Sequence, residues 1–407
     1  MPTYTTPGVY VEEFPSLPRT IRGVETSTAA FIGRTPQGPL ANAADGPVQV
    51  DSLYQFQRDF GAVDPACPLT LAVRDFFANG GMRALVVRLH AGAAEQAAEA
   101  GPPLQEQHYL GDRAAMTGLH ALRKAGTFNL LCIPPDDIEG DTAPVVYQAA
   151  LELCVEHGAM LLVDPPAAWN DAASLLREGV HAAAALGMDG KAARNAALYV
   201  PRLRQPHPSL PGQTLTCVPC GAVAGVIART DANRGVWKAP AGPEADVRGS
   251  TGLSIALDDA HSGVLNPRGV NCLRAFPRQG TVVWGARTLR GADVNADEFK
   301  YVPVRRTALF IEQSLQRGIA WAAFEANGEP LWAQLRLTVG TFMHGLFMQG
   351  AFQGASARDA YFVRCDAGTQ TRAELDQGLC RVVIGFAPLK PAEFIALQLL
   401  QMTRRDD

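Results

Sequence analysis

From residue 28 to residue 200, short apolar runs alternate with longer amphipathic stretches. Thr28-Ala-Ala-Phe-Ile-Gly33, Ala84-Leu-Val-Val-Arg-Leu89, Phe128-Asn-Leu-Leu-Cys-Ile133, Ala159-Met-Leu-Leu-Val163 and Ala196-Ala-Leu-Tyr-Val200 are too short for helices. Their near-continuous apolarity marks strands buried on both faces. Helices are predicted between them, over 53–60, 69–79, 111–124, 143–157 and 171–186. Asp51 or Ser52 is placed to cap the first, with Leu53, Phe56 and Phe60 on one face. Gly80-Gly81 stops the second. Residues 91–107 read as a surface helix or a loop. Helix-then-strand units in succession predict an α/β fold with a mixed, largely parallel sheet covered by helices. Many enzymes share that pattern, so it fixes class and not function.

The texture changes after residue 201. Residues 202–300 are rich in Gly and Pro, and a domain boundary is expected near 235–250. A short helix is predicted over 221–230, a tight turn over 266–271, and strands over 272–276 and 281–285. Tyr301-Val-Pro-Val-Arg-Arg306 reads as a basic strand end leading to helices near 307–325 and 330–349. Ile311, Leu315 and Ile319 form one apolar face. Trp332, Leu335, Val339, Phe342 and Leu346 form a heptad-like seam, predicting an antiparallel helix pair around Asn327-Gly328. Arg305 and Arg306 sit at a helix N-terminus, where each cation costs roughly 0.3–1 kcal/mol against the macrodipole. Glu312, Glu325 or an acid of a neighbouring subunit is expected to compensate them. The runs 381–387 and 393–400, separated by Pro388-Leu-Lys-Pro391, read as a β-hairpin, although the second also suits a helix.

Residues 1–24 form an arm. Pro2, Pro7, Pro15 and Pro18 exclude a continuous helix. Gly8-Val-Tyr-Val-Glu-Glu13 is one strand without a nearby partner, so its backbone groups must pair elsewhere. Twenty extended residues reach roughly 65 Å, against a radius of gyration of about 22 Å for a compact chain of this length. The arm either folds back on its own subunit or crosses to another. A two-stranded C-terminal ribbon is marginal alone and would gain from one added strand.

Composition removes several function classes. The chain has 407 residues, 47% of them hydrophobic, and a net charge of −4. It can bury a core and carries no electrostatic footprint for nucleic acid. No apolar run is long enough to span a membrane, and the start lacks a signal-peptide pattern, so cytosolic synthesis is expected. Eight cysteines in so long a chain suggest reduced thiols. Cys217-Val-Pro-Cys220 lacks the further ligands that zinc requires, with only His207 near, and buried structural thiols are the plainer reading. Asp136-Asp137, Asp164 and Asp258-Asp259 are conceivable acid/base groups, but loop acids also cap turns. No P-loop, GxGxxG after a strand, GxSxG or HExxH is present. No cofactor or metal is expected, and no enzyme activity.

Several motifs carry a family resemblance. Tyr4-Thr-Thr-Pro-Gly-Val-Tyr-Val-Glu-Glu13 and the strand 28–33 with its Gly38-Pro39 turn resemble the start of contractile tail sheath proteins. Asn266-Pro-Arg-Gly-Val-Asn271, Val283-Trp-Gly-Ala-Arg-Thr288, Tyr301–Arg306, Phe324-Glu-Ala-Asn327 with Leu331-Trp332, and the stretch ending Tyr361-Phe-Val-Arg-Cys-Asp366 resemble its last third, in order. Ala326 departs from the proline of the family's turn. The middle matches in outline.

The resemblance implies stacked hexameric rings forming a helical sheath around an inner tube, with contraction driving the tube through a target envelope. It implies an arm (1–24), an outer α/β domain (25–245) and an inner C-terminal α+β domain (246–407) with a strand extension. Pro7, Gly8, Val9, Tyr10, Val11, Glu12 and Glu13 would link subunits from the N-terminal side. Val382, Val383, Ile384, Phe386, Phe394, Ile395 and Leu397 would supply the C-terminal strands. Asn266, Gly269, Asn271, Trp284, Arg305, Arg306, Glu325 and Trp332 would form the domain's turn and core motifs. The implied partners are further copies of the chain, the inner tube protein, and baseplate and terminator proteins, without nucleic acid or direct membrane insertion. Assembly would occur in a bacterial cytoplasm, yielding part of a phage tail or an extracellular contractile particle. Two other classes stay open: an α/β enzyme with an oligomerisation arm, dependent on Asp164 or Asp136, and a non-contractile baseplate or binding protein of related fold.

Overall fold

A computed structural model of the protein describes residues 20–40, 46–92 and 101–393. The arm residues 7–13 and Phe394, Ile395 and Leu397 lie outside them. The chain divides into two compact units, Val24–Gln313 with Pro388–Asp407, and Met1–Gly23 with Ser314–Ala387.

The larger unit begins β1 (Ala29–Gly33), β2 (Val48–Val50), α1 (Leu53–Phe60), α2 (Pro68–Ala78), β3 (Ala84–Arg88), α3 (Glu106–Leu110) and β4 (Leu130–Cys132). It continues through α4 (Pro144–His157), β5 (Met160–Val163), α5 (Ala172–Gly179), α6 (Ala182–Ala185) and β6 (Ala196–Val200). Then come β7 (Leu203–Pro206), β8 (Thr214–Cys217), α7 (Cys220–Arg234), β9 (Gly252–Leu253), α8 (Asp259–Leu265), β10 (Val270–Phe276) and β11 (Gly280–Val283). The division at Ser314 falls within α9 (Val302–Gly318).

One sheet has the order β11-β10-β6-β5-β4-β1-β3-β2. Its six inner strands are parallel, and β2 and β11 join them antiparallel. Ala30 and Ile32 of β1 enter one core with Val146, Tyr147 and Ala150 of α4. Ala29 and Phe31 enter a second core with Phe76 of α2 and Val223, Val226 and Ile227 of α7. Burial on both faces explains strands without polar alternation. Ser52 caps α1 as expected, its side chain accepting from the Gln55 N–H at 3.1 Å.

Four expectations need correction. The predicted 111–124 helix is instead a 3-10 turn over Gly118–Lys124 that comes after α3, because Gly111, which ends α3, and Gly118 take positive φ. The predicted 171–186 helix is split into α5 and α6. Helix α7 is longer than predicted because its glycines serve an interface: a Cβ on Gly221 would lie 2.1 Å from the Ala72 carbonyl of α2, and one on Gly225 would lie 2.4 Å from that of Phe76. The boundary is not near residue 245, since β10 extends the parallel sheet beside β6, with Val270 opposite Leu198.

The smaller unit contains the end of α9, α10 (Glu329–Met348), α11 (Ala357–Ala360), β12 (Tyr361–Arg364), α12 (Arg372–Asp376) and β13 (Val383–Phe386). Helix α10 packs on β12 and α11. Its Leu331, Trp332 and Leu335 bury against Cys365, with Ile319, Trp321, Leu375 and Val382 alongside. An antiparallel helix pair was expected to supply those contacts, but α9 ends at Gly318 and a short 3-10 turn, Ala320–Ala322, follows.

Candidate inter-subunit elements and their anchors

Asn271 is fully buried, and its amide joins three backbone groups. Its Nδ2 donates to the carbonyls of Leu198 (3.0 Å) and Arg287 (2.7 Å), and its Oδ1 accepts from the Arg287 N–H (2.6 Å). Asn266 opens the turn and Gly269 closes it in left-handed geometry, φ +82°. The two sequence motifs, 266–271 and 283–288, are thus halves of one structure.

Arg287 is also fully buried and reaches the C-terminal segment. Its Nε and Nη2 donate to the two Glu393 carboxylate oxygens at 2.8 and 2.5 Å, and its Nη1 donates to Asp293 at 2.9 Å. The Tyr301 hydroxyl donates to Glu393 at 3.2 Å. Burial pushes the Glu393 carboxyl up, but the hydrogen bonds and charge of Arg287, helped by Lys300 and Tyr301, bring it below its ordinary value. The Arg287–Glu393 pair therefore anchors the last described residue of the chain to the larger unit. Reading the sequence placed Glu393 at a strand start and missed its partner, because nothing local links positions 106 residues apart.

The predicted strand end at 301–306 is a correction: Tyr301 bridges Arg287, and helix α9 begins at Val302. Pro303 suits a first helical turn, where its missing N–H has no partner to lose. Arg306 forms a bidentate pair with Asp231, at 2.7 and 2.6 Å, and also donates to the Thr26 carbonyl at 2.7 Å. Both side chains are almost wholly buried. The compensating acid for Arg306 is thus Asp231, not Glu312 or Glu325. Arg305 donates to Asn195 Oδ1 at 3.0 Å and stacks over the Phe299 ring. Burial is the main influence on it and lowers its pKa, while the Glu312 charge works the other way.

In the smaller unit, β12 and β13 form a two-stranded antiparallel sheet, with Tyr361 opposite Phe386 and Arg364 opposite Val383. Among the described residues the strand that pairs with 381–387 is β12, and the expected hairpin partner, 393–400, lies outside them beyond Glu393. Rings of Phe352, Tyr361 and Phe386 cluster on one side. Phe362 and Val383 are exposed, and Val382, Ile384 and Phe386 are not fully buried. Trp332 is buried and donates its indole N–H to Asn327 Oδ1 at 2.9 Å, which ties the 324–327 turn to the start of α10. Glu325 is exposed on that turn. Beside it Phe324, the first residue of the same motif, is fully exposed at φ +71°, a costly conformation for a bulky residue. Trp284, expected as a core motif, lies at the surface, its ring 4.8 Å from Phe276. At the other end of the chain, Ile21 packs on α9: a Cβ on Gly318 would meet it at 2.6 Å. The first described residues are therefore rooted as well.

The candidate acids serve structure. Asp136 accepts from Arg34 (2.8 Å) and from the Leu104 N–H (2.9 Å). Asp164 accepts from the Cys220 N–H at the start of α7 (2.9 Å), and burial raises its carboxyl to about 7. Asp258 caps α8, and Asp259 pairs with Arg274. Cys217 and Cys220 are buried, with burial pushing the Cys217 thiol up to about 12 and that of Cys220 well above its ordinary value. Among the described residues no group of three His, Cys, Asp or Glu side chains has a metal-holding arrangement, and no helix is long and apolar enough to cross a membrane.

Residues 115–289 match the family described as phage tail sheath protein central domain. The tail sheath protein of Vibrio phage KVP40 is 25% identical over 181 residues, 44% of this chain and 26% of that protein. The match thus spans about a quarter of that relative's length. Similarity to solved structures runs nearly end to end. The sheath complex of an extracellular contractile injection system (PVC) in the contracted state is 27% identical, with a TM-score of 0.73 and coverage of 98% of this chain and 99% of that one. The contracted helical sheath of the anti-feeding prophage gives 26%, 0.72, 98% and 100%. A chain of that prophage's baseplate structure gives 27%, 0.71, 98% and 100%. Residues 115–289 thus resemble the central domain of phage tail sheath proteins, and nearly the whole chain is similar to the sheath chains of contractile injection systems.

Proposed function

We propose that this chain is the structural subunit of a contractile sheath, polymerising as stacked hexameric rings around an inner tube and contracting to drive that tube through a target envelope. The end-to-end likeness to contracted sheath chains carries the reading. The described β12–β13 ribbon has only two strands, too few for independent stability, and invites an added strand. The arm residues 7–13 and the segment beyond Glu393 are the proposed donors. Strand addition between copies that does not close on itself generates a filament. The exposed Phe324, Leu337, Met348 and Leu379 of the smaller unit offer further apolar surface for neighbouring copies.

The work is mechanical and calls for no catalytic group. Its energy would reside in subunit contacts that are better in the contracted lattice. The inner tube, baseplate and terminator proteins are the proposed partners, with assembly in a bacterial cytoplasm before release as part of a phage-tail-like particle. The likeness to a baseplate chain supports a second reading, in which this copy builds the baseplate end of the sheath.

Val383→Pro tests the acceptor ribbon. The chain is expected to keep its helical circular dichroism and lose the ability to form long tubes with the tube protein. Normal tubes would remove β13 as the acceptor. Tubes that form only as short baseplate-bound collars from the unaltered chain would favour the second reading.

A further inference from the structure

All eight cysteines lie among the described residues, and Cys380 alone is not buried. Its Sγ lies 3.8 Å from that of Cys365. Cys365 directly follows β12, and Cys380 stands shortly before β13, so the pair closes the loop 366–379 at its neck. That neck is already held in register: the Arg381 N–H donates to Gln370 Oε1 at 2.8 Å, and Gln370 Nε2 donates to the Arg381 carbonyl at 2.8 Å. The Asn327 amide donates to the Leu379 carbonyl at 2.9 Å, and Gln370 Nε2 lies 3.8 Å from the Cys365 sulfur. Two sulfurs in contact, one reachable from solvent, on a fixed frame need only a small rotamer change to bond.

We propose that Cys365 and Cys380 are a redox modification site, which a small-molecule disulfide of the glutathione class converts to an intramolecular disulfide beside the β12–β13 ribbon. The Cys380 thiolate attacks one sulfur of the small disulfide, forming a mixed disulfide and releasing one small thiolate, which takes up a proton. Cys365 then gives its proton to solvent and attacks Cys380 Sγ, expelling the second small thiol. Two protein thiols are oxidised by two electrons and one small disulfide is reduced to two thiols. Burial raises the Cys365 thiol to about 12, with the contact to Cys380 adding to it, so the outer cysteine reacts first. A chain made with reduced thiols would acquire the link on reaching an oxidising environment. The loop would then be tied to the ribbon that the sheath reading assigns to strand exchange, but bond formation does not depend on that reading.

The test incubates the fully reduced, native full-length chain with oxidised glutathione, quenches with acid, and counts free thiols after denaturation. The expected titre falls from eight to six, with one linked peptide joining Cys365 to Cys380 and a melting temperature that rises and returns on reduction. Cys365→Ser should hold one glutathione on Cys380, and Cys380→Ser should lose no thiol. A titre that stays at eight, or a link between other cysteines, would overturn the proposal, as would equal thiol loss in Cys380→Ser.

Discussion

The guanidinium of Arg287 meets the carboxylate of Glu393 through two hydrogen bonds, with Arg287 wholly enclosed. Because Asn271 grips the backbone of Arg287 on both its N–H and its carbonyl, the turn 266–271 fixes the residue that fixes the C-terminal segment. The chain's last described residues are thus tied to the segment that follows β11.

Removing Glu393 leaves a buried cation with Asp293 as its remaining carboxylate. Glu393→Ala is expected to destabilise the larger unit by about 3 kcal/mol, and Glu393→Gln by less. Limited proteolysis should cut residues 388–393 in the variants first. An unchanged cleavage pattern would show that the pair does not hold the segment.

Asn271→Ala would strand the Arg287 N–H and two carbonyls in the interior. A loss of about 2–4 kcal/mol is expected from unsatisfied buried groups, measured by urea unfolding. A loss below 1 kcal/mol would contradict the role given to the motif.

Arg306→Leu would leave the buried Asp231 without its cation. The expected cost is about 3–5 kcal/mol. Replacing Arg306 and Asp231 together by apolar residues should recover much of it, and a double variant as unstable as the single one would refute the pairing.

The Asp164 carboxyl, raised by burial to about 7, sits above its unfolded value of about 3.9. The folded chain then binds this proton more tightly than the unfolded chain. Its contribution to stability is full below about pH 4 and lost as pH rises through about 7. Asp164→Asn removes that slope while an amide oxygen still accepts from Cys220. Urea unfolding over this range should show the native chain losing stability with pH relative to the variant, and parallel curves would contradict the raised value.

The sheet was legible because its strands are apolar at every position and alternate with capped helices. β1, β3, β4, β5 and β6 needed only local pattern. What stayed hidden was non-local. The pairing of β13 with β12 joins strands separated by residues 365–382, a link that local pattern does not register. Arg306 was expected to pair with Glu312, Glu325 or a neighbouring subunit because Asp231 lies 75 positions away on α7. The boundary was misplaced because Gly and Pro mark a connector equally well inside a unit, where β9 pairs with β7 and the 245–247 segment runs beside β11, as between units. Trp284 and Trp332 carry the same residue type in equally recognisable motifs, yet one is exposed and the other buried, since burial depends on what the fold brings over each.

The central claim is that this chain polymerises through its terminal segments. Negative-stain electron microscopy of the full-length chain beside the chain lacking residues 1–20, each co-expressed with the tube protein, tests it most directly. Uniform striated tubes from the full-length chain, with only discrete folded particles from the truncation, are the predicted result. Long ordered tubes from the truncated chain would contradict it.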